Sequence, residues 1–169
     1  MFRLSKNNNK IILPENSSDT LFFGMRLYPL NNDSVTDSDQ WIEFKYSLTN
    51  DNYLLGFDII FNNMQSYLPH NSSFVNLDVF SNLKQQEKSK KNEQAVTTLF
   101  YSFMDGEVDN LSERSDDEEI LKTKAKWISL KQQFFSFSII SNDDGFQNAE
   151  LQVFTDEYEE DTTYLRSLK

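Results

Sequence analysis

Cysteine is absent from this 169-residue chain, so neither a disulfide framework nor a thiolate zinc site can exist, and the redox compartment is left open. Histidine is almost as scarce. The single His70 lies in a Leu-Pro-His-Asn stretch outside any regular pattern, which removes Cys/His nucleophile pairs and multi-histidine metal sites. With no orienting partner in sequence, His70 reads as an exposed loop residue rather than a general base. The four glycines build no phosphate-cradling loop, so nucleotide chemistry is not expected. Long apolar runs are missing as well. No window approaches the roughly 18 to 20 residues of a spanning helix, and the first ten residues lack the apolar stretch of a signal peptide, so the chain reads as soluble. Positive charge is also in short supply. Against 27 Asp and Glu there are 16 Lys and Arg, a net charge of -11, which excludes nucleic acid and anionic membrane surfaces as expected partners.

What is present is aromatic. Apolar residues make up only 38%, but 15 Phe, 7 Tyr and 2 Trp give much area per residue, so an aromatic core is expected. The length is one domain's worth, enough to bury about 70% of the surface an unfolded chain exposes. Abundant carboxylates read as surface charge, since the spatial separation that paired-carboxylate catalysis needs is not written in one sequence. Asp33, Asp37 and Asp39, and separately residues 142–145 (NDDG), invite a calcium reading but keep no EF-hand spacing, so they read as turns. Asn-X-Ser sequons at Asn16, Asn32, Asn71 and Asn110 read as unglycosylated loop residues in a chain rich in Asn and Ser. Trp41 and Trp127 fit either core anchors or a sugar-stacking platform. No catalytic, cofactor-binding or metal-ligating residue is assigned, and no cofactor is expected.

Periodicity sets the fold class. Over residues 41–49, Ile42, Phe44, Tyr46 and Leu48 alternate with Glu43, Lys45 and Ser47, the period of a half-buried strand. A turn at residues 50–52 leads to a second run, Tyr53, Leu55, Phe57, Ile59 and Phe61, read as the more buried strand of a hairpin. Further strands are expected over 21–27, 75–80, 95–103, 134–141 and 146–154. Asp105-Gly106 and residues 142–145 are expected to close hairpins. The expected fold is all-β, an antiparallel sandwich or barrel with at most one short helical turn. Phe134 and Phe135 are expected to put one ring on each face of a strand, as core.

Two charged stretches interrupt the strands. Residues 84–94 (KQQEKSKKNEQ) have no apolar face and read as a mobile loop. Within 112–126, Ser115 with Glu118 fits a capping box and Glu118 with Lys122 an i,i+4 pair, so the stretch reads either as a helical turn or as disorder. The acidic residues 156–161 (DEYEED) read as a solvated chain end.

The stretch 127–136 (WISLKQQFFS), the polar turn at 141–145 and then 146–151 (FQNAEL) resemble the late periplasmic segment of YidC-type membrane protein insertases in their Bacteroidetes form. The matching residues are Trp127, Lys131, Gln132, Gln133, Phe134, Phe135, Phe146, Asn148 and Ala149, taken as mainly structural. Fainter likeness lies at 86–89, 97–101 and 53–55. The resemblance covers about residues 95–154 and reaches weakly back to 41. It implies a β-super-sandwich similar to galactose mutarotases and a non-catalytic domain on the periplasmic side of the inner membrane. It also implies, through the full-length protein, contact with Sec accessory proteins and nascent membrane proteins. On this resemblance the 169 residues form a single domain, an interior slice without the transmembrane core, unable to insert proteins alone. A carbohydrate-binding or mutarotase-like sandwich is the alternative, and a free-standing secreted β-protein a third reading.

Overall fold

The computed structural model describes residues 19–31, 34–35, 39–50, 52–69, 71, 74–155 and 164–169. They fall into two compact units, residues 1–75 and 76–169. The fold is all-β, with three main antiparallel sheets, a two-residue ladder and a single short helix among the described residues.

The first unit is built on β1 (Thr20–Leu27), β4 (Trp41–Thr49) and β5 (Leu55–Asn62), with β4 in the middle. Between β1 and β4 lies the small ladder of β2 (Leu30–Asn31) and β3 (Ser34–Val35). Opposed residues of an antiparallel pair share a face. Ile42, Phe44, Tyr46 and Leu48 therefore lie level with Leu27, Met25, Phe23 and Leu21 on β1, and with Phe61, Ile59, Phe57 and Leu55 on β5. One face is thus apolar throughout. The 41–49 strand and its hairpin form as the alternation predicts, and Asn52 Oδ1 accepts from the Leu54 N–H at 2.9 Å to shape the turn. The expectation that the second strand is the more buried fails. β5 is an edge strand and largely exposed, whereas β4, flanked on both sides, is half-buried along nearly its whole length.

The second unit is a two-layer sandwich. One sheet has the order β11 (Ser136–Ile140), β10 (Ala125–Lys131), β7 (Thr98–Phe103), β8 (Val108–Asn110). The other runs β6 (Ser81–Lys84), β13 (Tyr164–Leu168), β12 (Glu150–Phe154), β9 (Asp117–Ile120). Leu99, Tyr101 and Leu130 of the first sheet meet Leu151, Val153 and Leu168 of the second in one buried cluster, joined by Leu111, Leu121 and Ala125. Aliphatic residues dominate it, with Tyr101 as its one fully buried ring.

Several local expectations give way to tertiary pairing. Residues 75–80 form no strand; the ladder starts at Ser81. The capping-box segment becomes β9, because Asp117–Ile120 finds ladder partners along β12, and long-range hydrogen bonding outweighs a local cap. Conversely, the 84–94 loop holds the helix α1 (Lys90–Gln94), capped by the Ser89 side chain, which accepts from the Asn92 N–H. The chain end is not solvated as a whole. Residues 156–161 lie outside the described part, but beyond them β13 runs inside the second sheet with a bulge at 164–166, and residues 165 to 168 are all buried.

Of the two glycine turns, Asp105-Gly106 closes the β7–β8 hairpin as expected, with Gly106 at φ 93° and its N–H on the Phe103 carbonyl at 3.1 Å. Residues 142–145 do not close a hairpin. They carry the chain from β11 in one sheet to β12 in the other.

Candidate functional site

The β10–β11 hairpin gathers six of the nine signature residues. Its tip closes with the Gln132 N–H on the Phe135 carbonyl at 2.8 Å, so Phe134 and Phe135 lie in the turn between strands. This corrects their reading as a core pair: Phe134 is 70% and Phe135 57% exposed. Beside them on the edge strand β11, Phe137 and Ile140 are exposed too, on opposite faces, Phe137 level with Leu130 and Ile140 with Trp127. Sequence reasoning passed over Phe137 and Ile140, although their place after a double Phe in a run with no charge was the signal available.

The tip stands on a polar foundation. Gln132 donates through Nε2 to the Lys84 carbonyl at 2.8 Å and to Glu93 Oε1 at 3.3 Å. Glu93, only 1% exposed, also accepts from the Gln86 N–H at 3.0 Å and the Glu87 N–H at 3.0 Å. A buried carboxylate is tolerated only where donors replace its water, and here two backbone amides and an amide side chain do so. Glu93 was therefore missed as the anchor of the tip, since no residue spacing announces a partner 39 positions away. Lys131 lies over the Phe100 ring at 5.0 Å and pairs with Glu113 at 3.3 Å. Gln133 is exposed at the tip.

Trp127 belongs to the strand β10, and Phe146, Asn148 and Ala149 lie in the stretch before β12. Trp127, half-buried, lies level with Ser102 and Ile140, on the face of β10 away from the core residue Leu130. Phe146 exchanges backbone bonds with Ala125, at 2.8 and 3.0 Å, and packs on the core with Ala149. The Ala149 carbonyl accepts from the Leu121 N–H at 2.9 Å, and Asn148 takes a left-handed φ of 51°. Gly145, at φ 84°, is required twice over, because a Cβ there would lie 2.8 Å from the Ala125 carbonyl oxygen and 2.9 Å from Met104 Sδ.

A second polar group ties the sandwich from within. Arg166, 3% exposed, donates through one amino nitrogen to the carbonyls of Thr97, Ser112 and Glu113, each at 3.1 Å, and through the other to that of Ser115. Burial lowers its pKa, while Asp116, 3.6 Å away, opposes that shift.

A shallow depression of about 470 Å³ lies along β9 and β12, lined by Asp116, Asp117, Glu118, Gln152, Val153 and Phe154. No three His, Asp or Glu among the described residues are grouped to hold a metal ion. His70, Asp33 and Asp37 lie outside the described part, and the Asp39 carbonyl accepts from the side chains of Asn62 and Asn63. Trp41 and Trp127 lie in different units.

Fold and site together define an all-β sandwich protein that presents an apolar hairpin tip on a buried polar anchor. The chain is 34% identical over 115 residues to the membrane protein insertase YidC of Azobacteroides pseudotrichonymphae, covering 67% of this chain and 18% of that protein. It is 35% identical over 110 residues to the YidC of Bacteroides fragilis, covering 65% and 18% respectively. With the YidC of Parabacteroides distasonis it shares 30% identity over 149 residues, 86% of this chain and 23% of the other. By this similarity the chain belongs to the YidC family, and it spans about a fifth of the length of the curated relatives it matches. No family model and no solved structure matches it.

Proposed function

We propose that this chain is part of the periplasmic domain of a YidC-type insertase, a slice of its β-super-sandwich, and that it serves there as a non-catalytic interaction domain. The observation that carries this reading is the identity of 30 to 35% with insertases over 65 to 86% of the chain. The exposed tip at Phe134 and Phe135, held through Gln132 and Glu93, supports a contact role, since rigidly presented aromatic side chains are what protein interfaces use as anchors. In this reading the partners are Sec accessory proteins and, through the longer protein, nascent membrane proteins. The domain lies on the outer side of the inner membrane. No helix among the described residues is long and apolar enough to cross a membrane, so attachment would come from other parts of the polypeptide.

An immunoblot of fractionated source cells tests the placement. A band far above 19.9 kDa that resists alkaline extraction from membranes supports it, and a soluble band near 19.9 kDa overturns it. A photo-cross-linking residue at Phe135 then tests the contact. Adducts with Sec accessory proteins are expected there but not at Asp105, in the exposed β7–β8 turn.

A further inference from the structure

Residues 84–94 carry four lysines in a chain whose net charge is -11, and the fold seats them against the β10–β11 tip. The seat is made by Gln132 Nε2, 2.8 Å from the Lys84 carbonyl and 3.3 Å from Glu93 Oε1. Glu93 lies in α1, so the helix bearing Lys90 and Lys91 is one side chain away from the turn bearing Phe134 and Phe135. Lys131 adds a fifth ammonium group at the root of the tip. Against these five lysines stand three glutamates. Glu93 is buried and met by the N–H groups of Gln86 and Glu87, Glu113 pairs with Lys131 at 3.3 Å, and Glu87 is half-buried. Lys84 lies 5.0 Å from the centre of the Tyr164 ring. Lys88 and Lys91 are exposed, and neither has an ion-pair partner among the described residues.

We propose, resting on the contact role assigned above, that the tip takes an acidic apolar segment of the partner protein. An apolar side chain of that segment packs against Phe134 and Phe135, and its carboxylates meet Lys88 and Lys91. Rings alone would accept any apolar surface, and the lysines beside them select its sign. In a chain this acidic an approaching carboxylate is repelled over most of the surface, so a local positive excess is where attraction wins within a Debye length of about 8 Å. Charge also argues against a covering layer of the same sandwich. Such a layer would strip water from Lys88 and Lys91, whose ammonium groups have no described carboxylate to replace it. The turn itself lies beyond the last ladder pair, Lys131 with Ser136, so it offers no strand for a neighbour to extend. An anionic bilayer is the poorer occupant, because its charge extends over a plane and meets the acidic remainder of the chain, whereas a short segment meets the tip alone.

The test uses the protein as expressed in its source cells, with the photo-cross-linking residue at Phe135 and the adduct mapped by peptide mass spectrometry. The attached peptide is expected to carry an apolar residue flanked by Asp or Glu. Exchanging Lys88→Arg together with Lys91→Arg is expected to keep the adduct yield. The pair Lys88→Gln and Lys91→Gln is expected to lower it, and the pair Lys88→Glu and Lys91→Glu to lower it about tenfold, since charges at the rim of an interface act on association. Added salt is expected to reduce the wild-type yield and to leave that of the Glu pair unchanged or raised. Immunoblot levels equal to wild type separate lost contact from lost protein. A yield indifferent to the sign of residues 88 and 91, or an attached peptide without carboxylates, overturns the proposal and leaves the contact role standing. Adducts with lipid alone, or no adduct even in the wild type, overturn the contact role and the proposal together.

Discussion

Tyr101 is wholly buried, and its hydroxyl donates to Glu119 Oε2 at 2.5 Å, from the sheet of β7 to that of β9. Burial first, and the Glu119 hydrogen bond second, push the phenol pKa upward, so the neutral form is the native one. The raised folded pKa fixes the sign of the pH dependence. The contribution is fully present below the unfolded phenol value of about 10 and is lost as pH rises toward the higher folded value. Tyr101→Phe is expected to cost about 1 kcal/mol at neutral pH. The gap from wild type should narrow in urea titrations carried from pH 9 upward, and a gap constant with pH would refute the assignment. Arg166 gives a larger effect. Arg166→Met leaves the carbonyls of Thr97, Ser112, Glu113 and Ser115 without their shared donor, and a loss of about 3 kcal/mol in the urea-unfolding free energy is expected.

Between elements, the turns carry more than the strands they join. Gly145→Ala meets both a left-handed φ and a backbone oxygen 2.8 Å from the new Cβ, so about 2 kcal/mol of destabilisation is expected in thermal or urea unfolding. The β10–β11 tip behaves oppositely. Replacing Phe134 and Phe135 together by Ser removes exposed rings and is expected to leave the unfolding midpoint within about 0.5 kcal/mol of wild type, while abolishing the cross-link proposed for the tip. Edge strands also differ in how they resist stray pairing. β9 reads Asp-Glu-Glu-Ile, and its Asp117 and Glu119 lie level with the core residues Val153 and Leu151, the inward-charge device that discourages a further strand. β11 has no charged residue, which leaves it the better-suited edge for a partner.

At the scale of the whole chain, the two units differ in how completely they bury their apolar faces. Hydrogen exchange is expected to be slowest in β7, β10, β12 and β13, around the closed cluster of Leu99, Tyr101, Leu130, Leu151, Val153 and Leu168. Protection in β1, β4 and β5 is expected to be lower, since much of their apolar face is exposed. The sequence by itself determined the all-β class, the β4–β5 hairpin, the Gly106 turn and the family resemblance, because strand period, left-handed glycine positions and a ten-residue signature are local properties. Only the tertiary structure decided that residues 117–120 pair with β12 rather than coil, that β13 lies inside a sheet, and that Glu93 and Gln132 join across 39 positions. Each depends on partners distant in sequence, whose hydrogen bonds and buried area outweigh what a short stretch prefers alone. Phe134 and Phe135 illustrate the same limit. Their hydrophobicity pointed inward, but the ladder ends at Lys131 and Ser136, and the rings are left in the turn, facing solvent.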